Sequence, residues 1–163
     1  MNKLSADQIL LKLGEIEDPE IPVISIVELG VVRNVEWKEN LLEVTITPTY
    51  SGCPAMKAME DDIIEVLNEL GIEKFEIKTT LSPPWTTDWI TEEARVKLRE
   101  YGIAPPLKST ADKFSIMGKS RDISCPQCGS GNTSMISQFG STACKALYRC
   151  EDCREPFDYF KCI

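Results

Sequence analysis

The chain has 163 residues, of which 42% are hydrophobic; it contains seven cysteines and no histidine, and its net charge is −8. This length suits one ordinary domain plus a small satellite that could not build a sufficient core by itself. No apolar run of about 18 residues is present, and Met1–Ser5 lacks the apolar core of a signal peptide. We therefore expect a cytoplasmic protein without a membrane partner, whose cysteines are reduced thiols available for metal.

The charge is unevenly distributed along the chain. Residues 1–107 carry 10 basic and 20 acidic side chains, and residues 108–163 carry 8 and 6. Phosphate backbones repel an acidic surface, and the second part has no dense stripe of Lys and Arg, so no nucleic-acid partner is expected. Without histidine there is also no Cys–His, Ser–His or His-based hydrolytic zinc site, and no spacing pairs an acid with a base, so no machinery for hydrolase chemistry is visible.

The first elements along the chain are predicted to be a helix and two strands. Ser5 to Gln8 form a capping-box pattern, and the apolar residues after them have helical spacing. Asp18-Pro19-Glu20 ends this helix and opens a loop through Pro22. Two alternating patterns follow, joined by a turn at Glu39-Asn40: Val31, Val35 and Trp37, then Leu42, Val44 and Ile46.

A second helix is predicted to begin at Cys53-Pro54, with Cys53 as its N-cap, and to end at Gly71. A third strand spans Phe75 to Leu81, and a last helix spans about Thr91 to Tyr101. The order αββαβα predicts an α+β domain over residues 1–104, a small mixed sheet with helices packed against it. Residues 105–122 are predicted to be a linker, and residues 123–163 a small all-β module with strands around Ile136, Leu147 and Phe157.

The all-β module contains two Cys-x-x-Cys pairs, Cys125 with Cys128 and Cys150 with Cys153. Each pair can hold one metal ion from a tight turn, and the 21 residues between the pairs suffice for a short hairpin and a return strand. Zinc is the expected structural occupant, because it accepts four thiolates without redox chemistry. A four-cysteine iron site, two disulfides and four unrelated buried thiols are the alternatives.

Cys53 is the most interesting single residue outside that module. A thiol at a helix N-terminus lies near the positive end of the helix dipole and near unpaired backbone N–H groups, which favour the thiolate. The alternative is a small buried apolar cap. Asp18 and Glu20 could join Cys53 in a transient metal site, or they could be solvated charges at a helix end.

Three further residues have open or structural roles. Cys144 and Cys162 exceed the needs of a four-cysteine site, and they could be substitute ligands, a second thiol pair or small core residues. Trp85 could anchor a partner, although packing over the sheet is its default role.

Several motifs together resemble the MIP18-like iron–sulfur assembly family. They are Asp18-Pro19-Glu20, Leu29-Gly30, Thr49-x-x-x-Cys53-Pro54 and Pro84-Trp85, in an order that covers about residues 5–102. The resemblance implies a small accessory protein that helps to place iron–sulfur clusters into target enzymes. It implies that Cys53 is the functional cysteine, with Asp18 and Glu20 as weaker candidates.

A narrower resemblance extends nearly from end to end. Residues 47–55, 85–89, 99–103, 139–150 and 154–163 resemble the family of D-type subunits of bacterial 1,2-phenylacetyl-CoA epoxidase. This implies a role in aerobic phenylacetate catabolism, with the di-iron oxygenase and the flavin and iron–sulfur reductase subunits as partners. It also implies a maturation factor more than a catalytic component.

The predicted function is therefore assistance in assembling an iron–sulfur or di-iron centre, with Cys53 as a transient ligand for iron or a cluster. A homodimer that brings two Cys53 residues together is an additional hypothesis. The alternatives are a purely structural docking protein of the oxygenase complex, a thiol–disulfide enzyme and a zinc-ribbon nucleic-acid binder.

Overall fold

The elements of the chain fall into two units, and the division between them comes after Trp85. The structure is a computed structural model that describes residues 4–107 and 123–161. The first unit covers Met1–Trp85 and the second covers Thr86–Ile163. No helix in the described part of the chain is both long enough and apolar enough to cross a membrane.

Helix α1 (Ala6–Leu13) opens the first unit with the predicted capping box. The Gln8 backbone N–H donates to Ser5 Oγ at 3.2 Å, and the Ser5 N–H donates to Gln8 Oε1 at 2.9 Å. Two of the donors that a helix start leaves unpaired are thereby satisfied. The apolar face of the helix buries Ile9 and Leu13 completely.

A short antiparallel hairpin follows α1, formed by β1 (Glu17–Asp18) and β2 (Ile21–Ser25). The sequence predicted only a loop through Pro22, and this prediction was wrong. The cause lies in Asp18, whose Oδ1 accepts the N–H groups of both Glu20 and Ile21 at 2.8 Å. An aspartate that bonds the backbone two and three residues onward closes a tight turn, so the chain reverses at Pro19.

The three-stranded sheet of the first unit has the order β3-β4-β5. Its strands are β3 (Val32–Lys38), β4 (Leu41–Ile46) and β5 (Phe75–Thr79). The first pair is antiparallel and the second is parallel, which confirms the predicted mixed sheet. Helix α2 (Ala55–Glu69) forms the crossover and buries Met59, Ile63 and Leu67.

The parallel pairing decides where Cys53 lies. The carboxyl ends of β4 and β5 lie side by side at one end of the sheet. There, the Thr80 N–H just after β5 donates to the carbonyl of Ile46, the last residue of β4, at 2.9 Å. The segment from β4 to α2, which contains Cys53, therefore begins beside the loop that follows β5. In open sheets with such crossovers, the carboxyl ends of parallel strands are the usual place for ligand sites.

The three-stranded sheet also carries a cluster of charged side chains. Glu43 on β4 pairs in register with Glu36 on β3 and with Glu76 on β5. Lys38 Nζ donates to Glu43 Oε1 at 2.8 Å, and Lys78 Nζ donates to Glu43 Oε2. The ammonium of Lys38, followed by that of Lys78, lowers the pKa of Glu43, and Glu43 in turn raises the pKa of both lysines. The lysines thus offset the repulsion among the neighbouring carboxylates.

A pH dependence follows from the lowered pKa of Glu43. The stability that its ionised form contributes is present above the unfolded-state pKa and is lost as pH falls through the lower folded-state pKa. We expect the stability difference between the parent chain and Glu43→Gln to be largest near neutral pH and to shrink in acid. Urea unfolding at several pH values tests this, with Glu73→Gln at an exposed loop position as the control. A difference independent of pH would contradict the expectation.

The second unit combines a helical segment with a four-stranded sheet. A 3-10 turn (Thr87–Trp89) and helix α3 (Glu92–Tyr101) come first. The strands are β6 (Ile103–Ala104), β7 (Thr133–Ser137), β8 (Lys145–Cys150) and β9 (Pro156–Phe160), in the order β6-β9-β8-β7. The strands predicted around Ile136, Leu147 and Phe157 are confirmed. Strand β6, which was not predicted, pairs parallel to β9.

Residues 86–104 group by their contacts with the second unit, and the predicted domain boundaries stay a prediction. The predicted boundary after residue 104 lies inside the second unit, because β6 takes its backbone partner from β9. Helix α3 and β6 therefore group with the cysteine-containing sheet. Residues 108–122, which make up most of the predicted linker, and Cys162 lie outside the described residues.

Candidate functional site

Two similar tight turns hold the four cysteines of the second unit. In the first, the Cys125 N–H donates to the Ser130 carbonyl at 2.8 Å; in the second, the Cys150 N–H donates to the Glu155 carbonyl at 3.0 Å. The residue after each Cys-x-x-Cys pair, Gly129 or Arg154, has a left-handed φ, of 76° and 64° respectively. The two turns thus share one local geometry.

The four thiols converge on one point. Their Sγ atoms all lie within 4.8 Å of one another, with 3.7 Å between Cys125 and Cys153 and 3.5 Å between Cys128 and Cys150. Zinc–sulfur bonds of about 2.3 Å in a tetrahedron place the sulfurs roughly 3.8 Å apart. The distances are therefore those of ligands around one metal ion, and they are far longer than the roughly 2.05 Å of a disulfide.

Burial and backbone donors differ among the four thiols. Cys125 and Cys150 are buried, whereas Cys128 and Cys153 are exposed. The backbone N–H of Cys153, followed by that of Asp152, lowers the pKa of the Cys150 thiol to about 7 despite its burial. Because the thiolate is the form that binds metal, these donors favour the ligating state of Cys150. Despite a backbone hydrogen bond that lowers it, the pKa of the Cys153 thiol is raised to about 12 by burial and the neighbouring Cys150 thiol. A bound metal ion would join the two turns as a structural crosslink.

Asp152 connects the second turn to the chain that follows the first, a role that sequence reasoning missed. Its Oδ2 accepts from Ser130 Oγ at 2.5 Å and its Oδ1 accepts from Asn132 Nδ2 at 2.9 Å. The Ser130 hydroxyl, followed by the Asn132 amide, lowers the pKa of Asp152. An acidic residue inside one Cys-x-x-Cys pair, with Ser and Asn just after the other, was the available signal. Such contacts around ligands orient them toward the metal.

The left-handed conformation at Gly129 gives a measurable prediction. A Cβ added there would meet no atom within 4 Å, so only the backbone conformation opposes a side chain. We expect Gly129→Ala to lower the free energy of unfolding by about 1 kcal/mol. Gly131→Ala is the matched control, since Gly131 is equally uncrowded and has no positive φ. Thermal unfolding at a fixed zinc concentration measures both, and equal effects would contradict the prediction.

Cys53 lies in the segment that leads into α2. The helix begins at Ala55 with Pro54 as its N-cap, one residue later than predicted. The Cys53 thiol is half-buried, and the Cys53 N–H donates to the Tyr50 carbonyl at 3.3 Å. Gly52, immediately before it, has a left-handed φ of 81°. Solvent can therefore reach a thiol that lies just before the N-terminus of a helix.

Asp18 lies near a different part of α2. It is buried, and it lines a groove of about 460 Å³ together with Asp62, Glu65 and Glu69 from the middle and end of the helix. Among the described residues, the four cysteines are the one group of three or more Cys, Asp or Glu whose ligand atoms lie within 4.8 Å of one another. A site shared by Asp18, Glu20 and Cys53 stays a prediction.

Two other residues singled out from the sequence are buried. Cys144 is 4% exposed, outside the group of four thiols, and its Sγ lies 3.0 Å from Thr142 Oγ1. Trp85 is 6% exposed, and its indole N–H donates to the Leu29 carbonyl at 2.9 Å. The packing interpretation of Trp85 agrees with this burial.

Two different family models match two separate parts of the chain. Residues 6–78 match the family model of an iron–sulfur cluster assembly protein, and residues 109–161 match that of the PaaD zinc beta ribbon domain. A proposed D-type subunit of 1,2-phenylacetyl-CoA epoxidase from Escherichia coli is 50% identical over 93% of this chain and 89% of that protein. The chain belongs to this family of D-type epoxidase subunits.

Other relatives match little more than half of the chain. An Fe-S protein maturation auxiliary factor from Porphyromonas gingivalis is 33% identical over 56% of this chain and 89% of that protein. A solved domain of unknown function from Bacillus anthracis has a TM-score of 0.53 and 29% identity, covering 57% of this chain and 90% of its own. The D-type epoxidase subunits thus join an iron–sulfur assembly domain, with the predicted MIP18-like fold, to a zinc ribbon.

Proposed function

We propose that this chain is a non-catalytic accessory protein that assists the assembly of an iron–sulfur or di-iron centre in a partner protein of the phenylacetyl-CoA epoxidase system. The observation that carries the proposal is the match to a D-type epoxidase subunit over 93% of the chain, together with the maturation factors that match little more than half of it. The proposed partners are the oxygenase and reductase subunits, and the proposed compartment is the cytoplasm.

Cys53 is the residue proposed to hold the iron or cluster that is delivered. It offers a soft sulfur ligand, half-buried and therefore accessible in part, just before the start of α2. One thiolate holds a metal weakly compared with a complete ligand set, which suits a cargo that must be released. Asp18 and Glu20 are weaker candidates for the same task, and a homodimer with two adjacent Cys53 thiols is a further arrangement to test.

The four-cysteine site has a different proposed role, which is structural. Its donor set and its sulfur spacing fit zinc as a resident ion. In small zinc modules such an ion contributes on the order of 10 kcal/mol of apparent folding free energy. The ribbon is then a rigid element that could select the client, separate from the thiol that handles iron.

The test is the iron content of the client proteins after co-expression with variants of this chain. With Cys53→Ala we expect the oxygenase or reductase to lose most of its iron relative to the parent, because the working ligand is absent. Ser51→Ala is the control, since Ser51 is exposed in the same segment. Circular dichroism of each variant checks that the fold is intact.

The same experiment separates the alternative function. Full iron loading with Cys53→Ala, combined with stable co-purification of the chain and its partners, would overturn the assembly role. It would instead support a purely structural docking role within the oxygenase complex. Loss of loading with both variants would assign the effect to the segment rather than to the thiol.

A further inference from the structure

Strand β6 is part of the sheet that carries the cysteines. Ile103 pairs with Asp158, and Ala104 pairs with Tyr159, in parallel register. Both β6 residues are buried, with 4% and 1% of their surfaces exposed. A two-residue strand has almost no stability by itself, so its position depends on hydrogen bonds to the backbone of β9.

Strand β6 also contributes a side chain to the core around two of the four cysteines. Ala104 belongs to one cluster of buried residues with Cys125 and Cys150. The other members are Ile123, Ala146, Tyr148, Phe157 and Tyr159. Modules of fewer than about 40 residues usually need a metal or another constraint to stay ordered, and the described ribbon, residues 123–161, is of this size.

A buried arginine ties helix α3 to the chain just beyond β6. Arg95 is 8% exposed; its Nη1 donates to the Pro106 carbonyl at 2.5 Å and its Nη2 donates to the Thr87 carbonyl at 2.6 Å. Its Nε has no hydrogen-bond partner among the described residues and lies 4.0 Å from Glu92 Oε1. A buried guanidinium is costly when it loses its acceptors, so α3 requires Pro106 to stay in place.

The same stretch of chain contacts the cysteine-containing core through Tyr159. The Leu107 N–H donates to the Tyr159 hydroxyl at 3.4 Å, and Thr87 Oγ1 donates to the Leu107 carbonyl at 3.3 Å. Tyr159 is 1% exposed and packs edge-to-face on Tyr148 in the cluster. A continuous series of contacts therefore leads from α3 to the residues that surround Cys125 and Cys150.

Helix α3 has little stability of its own. It has 10 residues, and isolated helices shorter than about 12–15 residues are marginal in water. Its C-cap, Gly102, leads directly into β6, so the helix and the strand share their constraints. Whatever holds the cysteine-containing sheet in place thus also decides whether α3 is ordered.

We infer that metal at the four-cysteine site orders helix α3 and strand β6 together with the ribbon strands, so that residues 86–107 and 123–161 gain and lose structure as one unit. The metal crosslinks the two tight turns at Cys125–Cys128 and Cys150–Cys153, which fixes β8 and β9. Strand β9 in turn holds β6, and Tyr159 and Arg95 bind the segment that follows β6, at Leu107 and Pro106 respectively. The metal-dependent unit is larger than the ribbon alone.

Amide hydrogen exchange, followed by mass spectrometry, tests this on the full chain as purified and after removal of metal by a chelator with a thiol reductant. We expect peptides from α3 and from β8 to exchange about tenfold faster or more after metal removal. Peptides from α2 in the first unit serve as the internal reference. Unchanged exchange in α3 while β8 loses protection would overturn the inference, as would unchanged exchange in both.

A pair of arginine variants tests the contact that transmits the effect. In the metal-loaded chain, Arg95→Gln is expected to speed exchange in α3 about tenfold, since it removes the charged donor to Pro106. Arg99→Gln removes the same charge from an exposed position of the same helix and is expected to leave exchange nearly unchanged. Coupling is reciprocal, so a lowered metal affinity in Arg95→Gln alone would also support the link. Equal behaviour of the two variants would overturn the role of Arg95.

Discussion

Replacing Cys150 with serine is expected to reduce the zinc content from about one ion per chain to nearly none. Cys150 is fully buried, and its Sγ lies 3.5 Å from that of Cys128, so a hydroxyl at this position leaves a three-thiolate site. Because the free energy of metal binding is also free energy of folding, on the order of 10 kcal/mol, the second unit should lose its fixed structure. Elemental analysis and near-ultraviolet circular dichroism measure the two effects.

Cys144→Ser is the matched control for this experiment. Cys144 is also buried, at 4% exposure, but it lies outside the group of four thiols. We expect this variant to keep its zinc and to show only the modest loss of stability that a buried hydroxyl causes. Full zinc content in Cys150→Ser would contradict the assignment of the ligands, and equal loss in both variants would remove the distinction between ligand and core cysteine.

Replacing Trp85 with alanine is expected to lower the free energy of unfolding of the first unit by about 3–5 kcal/mol. The indole is 6% exposed, so truncation leaves a large cavity at the end of this unit. The substitution also leaves the Leu29 carbonyl, which accepts the indole N–H at 2.9 Å, without that partner. Urea unfolding followed by far-ultraviolet circular dichroism gives the loss.

Trp85→Phe separates packing from hydrogen bonding at the same position. Phenylalanine keeps most of the apolar ring but cannot donate to Leu29, so we expect a loss of about 1–2 kcal/mol. A Phe variant as unstable as the Ala variant would assign the effect to the hydrogen bond. An Ala variant as stable as the parent would show that Trp85 is not part of the core, and a role as a partner anchor would then be the better explanation.

Local signals predicted most of the elements correctly. The capping box at Ser5 and Gln8 marked the start of α1. The alternation of Leu42, Val44 and Ile46, which are all fully buried, marked β4. The Cys-x-x-Cys spacing predicted a set of four ligands, and the thiols do converge. In each case the information lies within a few neighbouring residues, because caps, strand alternation and tight turns are local properties of the backbone.

The features that the sequence did not predict depend on partners that are distant along the chain. The groove that Asp18 lines beside the second half of α2 is one of them, and the role of Asp18 as a ligand stays a prediction. The groove exists only after α2 packs. Asp152 likewise becomes a bridge between the two tight turns only after the thiols have brought Ser130 and Asn132 beside it.

The sequence by itself determined the helices, the main strands and the four clustered cysteines, since each of these depends on residues that are adjacent or regularly spaced. Only the tertiary structure decided that α3 and β6 belong with the cysteine-containing sheet. The strand formed by Ile103 and Ala104 is too short to show an alternation of buried and exposed residues. The Arg95 side chain donates to backbone carbonyls, which every residue has, so the sequence does not reveal which of them it binds. Which backbone groups pair across the fold is settled by burial and packing over the whole unit, and no local motif encodes it.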